Sequence, residues 1–400
     1  MDTASLPRPD LDPLDPVALT QALIRCPSVT PHDGGALALL GAVLSREGYS
    51  VERPVFSAPG MPDIENLYAR IGTEGPVFVI AGHTDVVPVG DAAAWTRDPF
   101  GGAVADGMLH GRGACDMKGG LAAMMAAALR FRRENPDAPG SIAFLVTGDE
   151  EGPAVNGTVK LLDWAHERGE RFDHCLLGEP TNPASMSDMI KIGRRGSLTG
   201  RLTVNGKQGH VGYPHLADNP IRGMVRLLAA LDATPLDRGT AHFDPSNLEV
   251  TTLDVGNPAT NVVPAQAKAV FNIRFNDVWT PDTLAAEIER RLHEAAGNFV
   301  RYEISVDPTN SVAFLTQPGP FVAMVADAVE AETGKRPALS TTGGTSDARF
   351  IKSYCPVVEY GVVGQTMHQV NECVAVADLL TLERITHRLL RSYFAVQHSP

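Results

Sequence analysis

The chain has 400 residues, 44% of them apolar and 20% charged, and a formal net charge of -13. That size and balance suit a soluble globular protein of one large or two moderate domains. The acidic excess argues against nucleic acid or an anionic membrane surface as a partner, and no apolar run approaches the length of a bilayer span.

In chain order, Met1 to Asp15 is rich in Pro and Asp and lacks a basic-then-apolar leader pattern. The five cysteines (Cys26, Cys115, Cys175, Cys355, Cys373) are too scattered for a disulfide framework or a CxxC site. They read as small core residues in a reducing compartment, so a cytoplasmic location is expected. Pro76 to Ala81 predicts a buried strand, Lys118 to Phe131 an Ala/Met-rich packed helix, and Ser141 to Thr147 and Phe172 to Leu177 two further strands. Strands alternating with helices predict an α/β fold with a mixed, mostly parallel sheet flanked by helices. Functional turns then belong at the carboxyl ends of the strands.

The pattern changes near Gly193-Arg194-Arg195-Gly196. Ser197 to Val204, Leu248 to Val255, Ala267 to Phe275 and Arg301 to Val306 read as strands. Asn219 to Leu231 and Pro281 to Ala295 read as helices, the second opened by Thr280 and Pro281. Four strands and two helices in this order predict a ferredoxin-like α/β sandwich. After Pro308 the first pattern returns, with a strand at Val357 to Tyr360 and a closing amphipathic helix from Val376 to Phe394. The expected organisation is a catalytic domain (1–195 and 309–400) interrupted by an inserted domain (196–308).

Glu150 and Glu151 lie in Gly148-Asp149-Glu150-Glu151-Gly152, directly after an apolar run. Adjacent carboxylates at the end of a buried strand are costly unless a cation holds them, although an acidic surface turn is the plainer alternative. Four more segments have the same look. His83 and Asp85 follow a strand in Gly82-His83-Thr84-Asp85-Val86-Val87-Pro88 and fall on one side of it if the chain stays extended. A ligating histidine usually has its other nitrogen held by a carboxylate, whereas an isolated HxD is more often a surface turn. Asp116, in Gly111-Arg112-Gly113-Ala114-Cys115-Asp116-Met117-Lys118-Gly119-Gly120, is either a helix cap or a ligand approached closely by glycine-rich backbone. Glu179 ends Leu176-Leu177-Gly178-Glu179, and His368 lies between the late strand and the last helix. Each is weak alone. Together, two imidazoles and several carboxylates beyond buried strands fit a pair of divalent ions bridged by one carboxylate, with another left as a base. No nucleophile elbow, P-loop or dinucleotide fingerprint is present.

These five segments, with Met367-His368 as the last, resemble the metal segments of the di-zinc amidohydrolases of the aminoacylase and carboxypeptidase clan, along nearly the whole chain. Four further stretches look like the desuccinylase branch rather than acetylornithine deacetylases or carboxypeptidases. They are Ile192-Gly193-Arg194-Arg195-Gly196-Ser197, Gly206-Lys207-Gln208-Gly209-His210-Val211-Gly212-Tyr213-Pro214, Phe271-Asn272-Ile273-Arg274-Phe275 and Gly343-Gly344-Thr345-Ser346-Asp347-Ala348-Arg349-Phe350.

The resemblance implies a zinc-exopeptidase-like fold whose inserted domain makes a homodimer. It implies two divalent ions per chain, zinc first, with cobalt or manganese able to share such ligands. Asp116 would bridge them, His83 and Glu179 would complete one site, and Glu151 and His368 the other. Asp85 would orient His83, Glu150 would be the general base, and the Asp116–Met117 peptide would be cis. His210 would reach the partner's active site to stabilise an oxyanion. Arg194, Ser197, Asn261, Arg274, Gly344 and Thr345 would contact substrate. The activity implied is hydrolysis of N-succinyl-LL-diaminopimelate to succinate and LL-diaminopimelate. Other N-acyl-amino-acid deacylases, dipeptidases and a non-catalytic binding protein on the same scaffold are the alternatives. Gly364 departs from relatives of the clan that carry Asn four residues before the last histidine.

Overall fold

The computed structural model describes residues 11–396, so the first ten residues of the Pro- and Asp-rich start lie outside the described residues. The chain divides into two compact units. Among the described residues, one comprises 11–192, 316–340 and 346–396, and the other 193–315 and 341–345. The inserted unit therefore begins at Gly193 and ends at Leu315, wider than the expected 196–308, and it takes back the short segment Thr341–Thr345. The local reason is pairing. Gly193–Arg194 and Phe314–Leu315 bond to each other as a two-stranded ladder at the foot of the insertion, and Arg194 Nη1 donates to Gly344 O at 3.0 Å.

The larger unit is built on an eight-stranded sheet. From edge to edge it runs Ser50–Glu52, Leu67–Ile71, Ser141–Thr147, Val77–His83, His174–Leu177, Val357–Glu359, Met189–Lys191 and Ala338–Ser340. Four neighbour pairs are parallel and three antiparallel, so the sheet is mixed. Val77–His83 and Ser141–Thr147 are buried at every residue, as befits central strands covered on both faces. Helices Lys118–Glu134, Pro320–Thr333 and Val376–Val396 pack together against this sheet. Phe78 on the central strand meets Tyr393 of the last helix at 4.9 Å between ring centres and Phe321 at 6.2 Å.

The second unit has the order strand, helix, strand, strand, helix, strand. Its antiparallel sheet runs Asn247–Asp254, Gln266–Phe275, Gly196–Asn205, Arg301–Val306, which is the ferredoxin-like arrangement. Helices Pro220–Asp232 and Pro281–Ala296 cover one face and bury Leu198, Leu202, Phe271, Ile273 and Phe275 with Leu227 and Ile288. Gly196 and Gly200 lie opposite Phe275 and Phe271 across the ladder, where any Cβ would run into the aromatic rings. Asn219 caps the first helix and a Thr280–Thr283 capping box starts the second.

Candidate metal centre

Four of the sequence-marked acids and histidines lie at the carboxyl ends of three adjacent parallel strands. In register, His83 stands opposite Thr147 and Ala81 opposite Leu177. The turns holding Glu150-Glu151 and Glu179 therefore open beside His83. Asp116 lies just ahead of helix Lys118–Glu134, joined to Met117 by a cis peptide. His368 comes from the loop before the last helix, with a left-handed φ of 61°.

The five side chains form two groups that share Asp116. In each group one ligand atom per residue lies within 4.8 Å of the others: His83, Asp116 and Glu179 in one, Asp116, Glu151 and His368 in the second. His83 Nε2 is 3.3 Å from Asp116 Oδ1 and 3.9 Å from Glu179 Oε1. His368 Nε2 is 3.3 Å from Asp116 Oδ2 and 3.0 Å from Glu151 Oε1. Asp116 thus presents one oxygen to each imidazole. His83, Asp116 and Glu179 are buried, whereas His368 reaches the surface.

The electrostatics follow from crowding. Burial works against a charged His83, but Asp116, Glu179, Glu150 and Asp85 push its imidazole well up. Bonds to Asp116 and Glu151 push His368 up to about 10. Burial opposes ionisation of Asp116, and His368 and His83 overcome it and hold the carboxyl low. Glu150 goes the other way. Burial and the carboxylates of Glu179, Asp347 and Glu151 raise it, with His83 opposing. The donor set is all imidazole nitrogen and carboxylate oxygen, matching zinc and similar dications. His83 Nε2 is moreover buried without a hydrogen-bond partner of normal geometry, a costly state that a metal ion would relieve. The residues therefore fit a pair of divalent ions, three protein ligands to each, with Asp116 common to both.

Asp85 is placed differently from expectation. The strand ends at His83, and His83 Nδ1 is held by the backbone carbonyl of Asp85 at 2.9 Å, with the carboxylate farther off at 3.7 Å. That carboxylate instead accepts the amides of Glu150 (3.2 Å) and Glu151 (3.0 Å) and the hydroxyl of Thr30 (2.7 Å). It shapes the turn that carries both glutamates.

The remaining predicted residues lie in the second unit. Ser197 pairs with Arg274 in register, and the Ser197 hydroxyl accepts from Asn272 at 3.1 Å. Burial and the neighbouring Arg195 guanidinium pull Arg274 below its usual value. His210 and Asn261 come close together. Gly209–His210 pairs with Val262–Val263, and Val211 N donates to Asn261 O at 3.0 Å. His210 is exposed, its Nδ1 accepting from Gly212 N at 3.0 Å. Gly344 and Thr345 sit in the 341–345 segment that joins this unit. No motif in the sequence marks the buried pair of Arg112 and Glu372, 2.7 Å apart. Their separation of 260 positions leaves no local signal.

The chain belongs to the peptidase family M20/M25/M40, whose description matches residues 79–392. It is 72% identical to a succinyl-diaminopimelate desuccinylase of Methylorubrum extorquens over 380 residues, 95% of this chain and 99% of that protein. It is 70% identical to the enzyme of the same name from Methylobacterium nodulans, over 95% of this chain and 96% of the relative. Among solved structures, an M20 family metallo-carboxypeptidase of Sulfolobus solfataricus superposes with a TM-score of 0.74, covering 95% of this chain and 99% of its own, at 17% identity. That last likeness concerns the fold.

Proposed function

We propose that the chain is a metal-dependent amidohydrolase that cleaves N-succinyl-LL-diaminopimelate to succinate and LL-diaminopimelate. The observation that carries this reading is the gathering of His83, Asp116, Glu151, Glu179 and His368 into two ligand groups sharing one carboxylate, in a chain 72% identical over nearly its full length to a desuccinylase. Two divalent ions, zinc first, would be held by these residues. They would polarise the amide carbonyl and make the attacking water more acidic.

The chain's own groups supply the proton traffic. Glu150 lies beside the ligand groups but belongs to neither. It takes a proton from water as the oxygen bonds to the amide carbon, and returns it to the amine nitrogen as the C–N bond breaks. Asp85 holds Glu150 in register by binding the backbone on which it stands. Arg194, Ser197, Arg274, Gly344 and Thr345 serve the substrate's carboxylates, a task suited to guanidinium forks and backbone donors.

A homodimer in the cytoplasm completes the proposal. Edge strand Asn247–Asp254 is exposed along most of its length, including Val250 and Leu253, and Ile221 and Val225 are exposed on the helix Pro220–Asp232. Such an edge with apolar neighbours invites pairing with a second copy. His210 and Asn261 would then serve the partner's substrate, His210 as an oxyanion donor. Among the described residues no helix is long and apolar enough to cross a membrane. The deciding experiment is turnover of N-succinyl-LL-diaminopimelate by zinc-loaded protein with and without chelator, beside N-acetylornithine and N-acetylated amino acids. Equal or faster turnover of the acetylated compounds would overturn the substrate assignment.

A further inference from the structure

The buried Glu372 has no part in the chemistry above, yet both of its carboxylate oxygens are bonded beside the site. It is fully buried. One oxygen accepts the amides of Cys115 (3.1 Å) and Asp116 (3.2 Å) and faces Cys115 Sγ at 3.4 Å. The other takes Arg112 Nη1 at 2.7 Å, and the backbone carbonyl accepts Gly111 N at 2.9 Å. A single residue thus binds the 111–116 loop at four positions along its length.

Arg112 extends the link. Its Nη1 also donates to Gln369 O at 3.2 Å, next to His368, and its Nη2 donates to Pro88 O at 3.2 Å. The turn containing His368 is closed on itself. Thr366 Oγ1 donates to Cys373 O at 2.9 Å and accepts Cys373 N at 3.0 Å. His368 and Asn371 both hold left-handed backbone inside it. One ion pair therefore joins three segments that carry ligands or their supports: 83–88, 111–116 and 366–373.

A buried ion pair is a weak source of stability, since apolar residues of similar volume serve a core as well or better. Its value lies in fixed geometry. We infer that Glu372 is a positioning residue for the shared ligand Asp116. It acts through the Cys115 and Asp116 amides, and Arg112 locks it to the turn that presents His368. The inference rests on the reading of the site as a metal centre. Its consequence is that the 3.3 Å approach of Asp116 to His368 is set by a carboxylate that never touches the ion.

The test is titration of metal-free protein with zinc chloride, and the cobalt(II) absorption spectrum of the same protein, for the parent, Glu372→Gln and Glu372→Asp. Glu372→Gln keeps the shape, loses the charge and turns an amide NH2 toward Arg112. Its zinc affinity should fall about 10–100-fold, the range found for residues behind metal ligands. Its cobalt bands should change, and kcat should drop at saturating metal with KM little changed. Glu372→Asp, one methylene short but still charged, should recover part of the affinity. Unaltered zinc affinity and an unaltered cobalt spectrum in a folded Glu372→Gln protein would overturn the inference. Should that variant not fold, Arg112→Lys decides on the same two readouts, with parental values again overturning it. A parent protein that takes up no zinc would refute the metal-centre reading instead.

Discussion

The backbone amide of Glu151 donates to the carboxylate of Asp85 at 3.0 Å, so the residue expected to steer a histidine holds a glutamate turn. Asp85→Asn replaces an oxygen that accepts from a backbone amide with a group that repels one. The expected result is a loss of kcat of about 10–100-fold, with the His83 geometry kept because the carbonyl of residue 85 is unchanged. Steady-state kinetics with zinc content measured on the same sample checks it. Full activity would return Asp85 to a spectator.

Glu150→Gln removes the proposed proton carrier and none of the ligands. Turnover should fall by about 10²–10⁴-fold, the range for a positioned acid–base group, with two equivalents of metal still bound. Loss of metal along with activity would make Glu150 a ligand.

Asp116 serves both ligand groups, so its loss cannot be confined to one. Asp116→Ala should bind clearly less than two equivalents of zinc by elemental analysis. For the parent, removing metal should lower the thermal midpoint, because a ligand present at 100 times its Kd stabilises by about 2.7 kcal/mol. Identical melting curves with chelator and with added zinc would contradict this.

Gly120 lies inside helix Lys118–Glu134, where alanine would ordinarily be favoured by about 1 kcal/mol. Here a Cβ would strike the carbonyl oxygen of Gly178, the residue before Glu179. Overpacking of that kind costs about 1–3 kcal/mol. Gly120→Ala should therefore melt lower than the parent and bind zinc more weakly. A raised midpoint would show that the backbone gives way freely.

In the second unit Glu287 binds Arg290 and the buried Arg291, both at 2.8 Å, and Arg291 reaches back to the carbonyl of Thr234 at 2.6 Å. These bonds bring Glu287 from an ordinary 4.5 down to about 2. A lowered acid contributes its stability above the ordinary value and loses it as the pH falls toward the lowered one. The urea-midpoint gap between the parent and Glu287→Gln should be constant above about pH 5 and close toward pH 2–3. A gap that widens on acidification would reverse the sign of this account.

Much of the fold was legible because its signals are local. The apolar run Ser141–Thr147 and the alternating Arg301–Val306 were read to the residue, since breakers flank both. The acids and histidines past the strands were legible for the same reason, each sitting where an apolar run stops. What escaped depends on distance along the chain. Continued alternation put Asp85 on the side of His83, but the strand stops at His83 and frees the carboxylate to turn away. The partnership of Arg112 with Glu372 spans 260 positions. The second compact unit begins and ends at a ladder between Gly193–Arg194 and Phe314–Leu315, two short stretches without a pattern of their own.

Strand Val357–Glu359 lies between His174–Leu177 and Met189–Lys191, so the large sheet is closed by a piece of chain made late. On the ribosome the 193–315 stretch, contiguous in sequence and with its own core, has all its strands in hand well before that moment. The first 192 residues must wait with a gap in their sheet until residue 357 emerges, and the fifth ligand emerges last of all. Nascent chains cut short before that point hold most of the liganding groups but no finished cage, a stage at which unpaired strand edges expose the protein to misassembly.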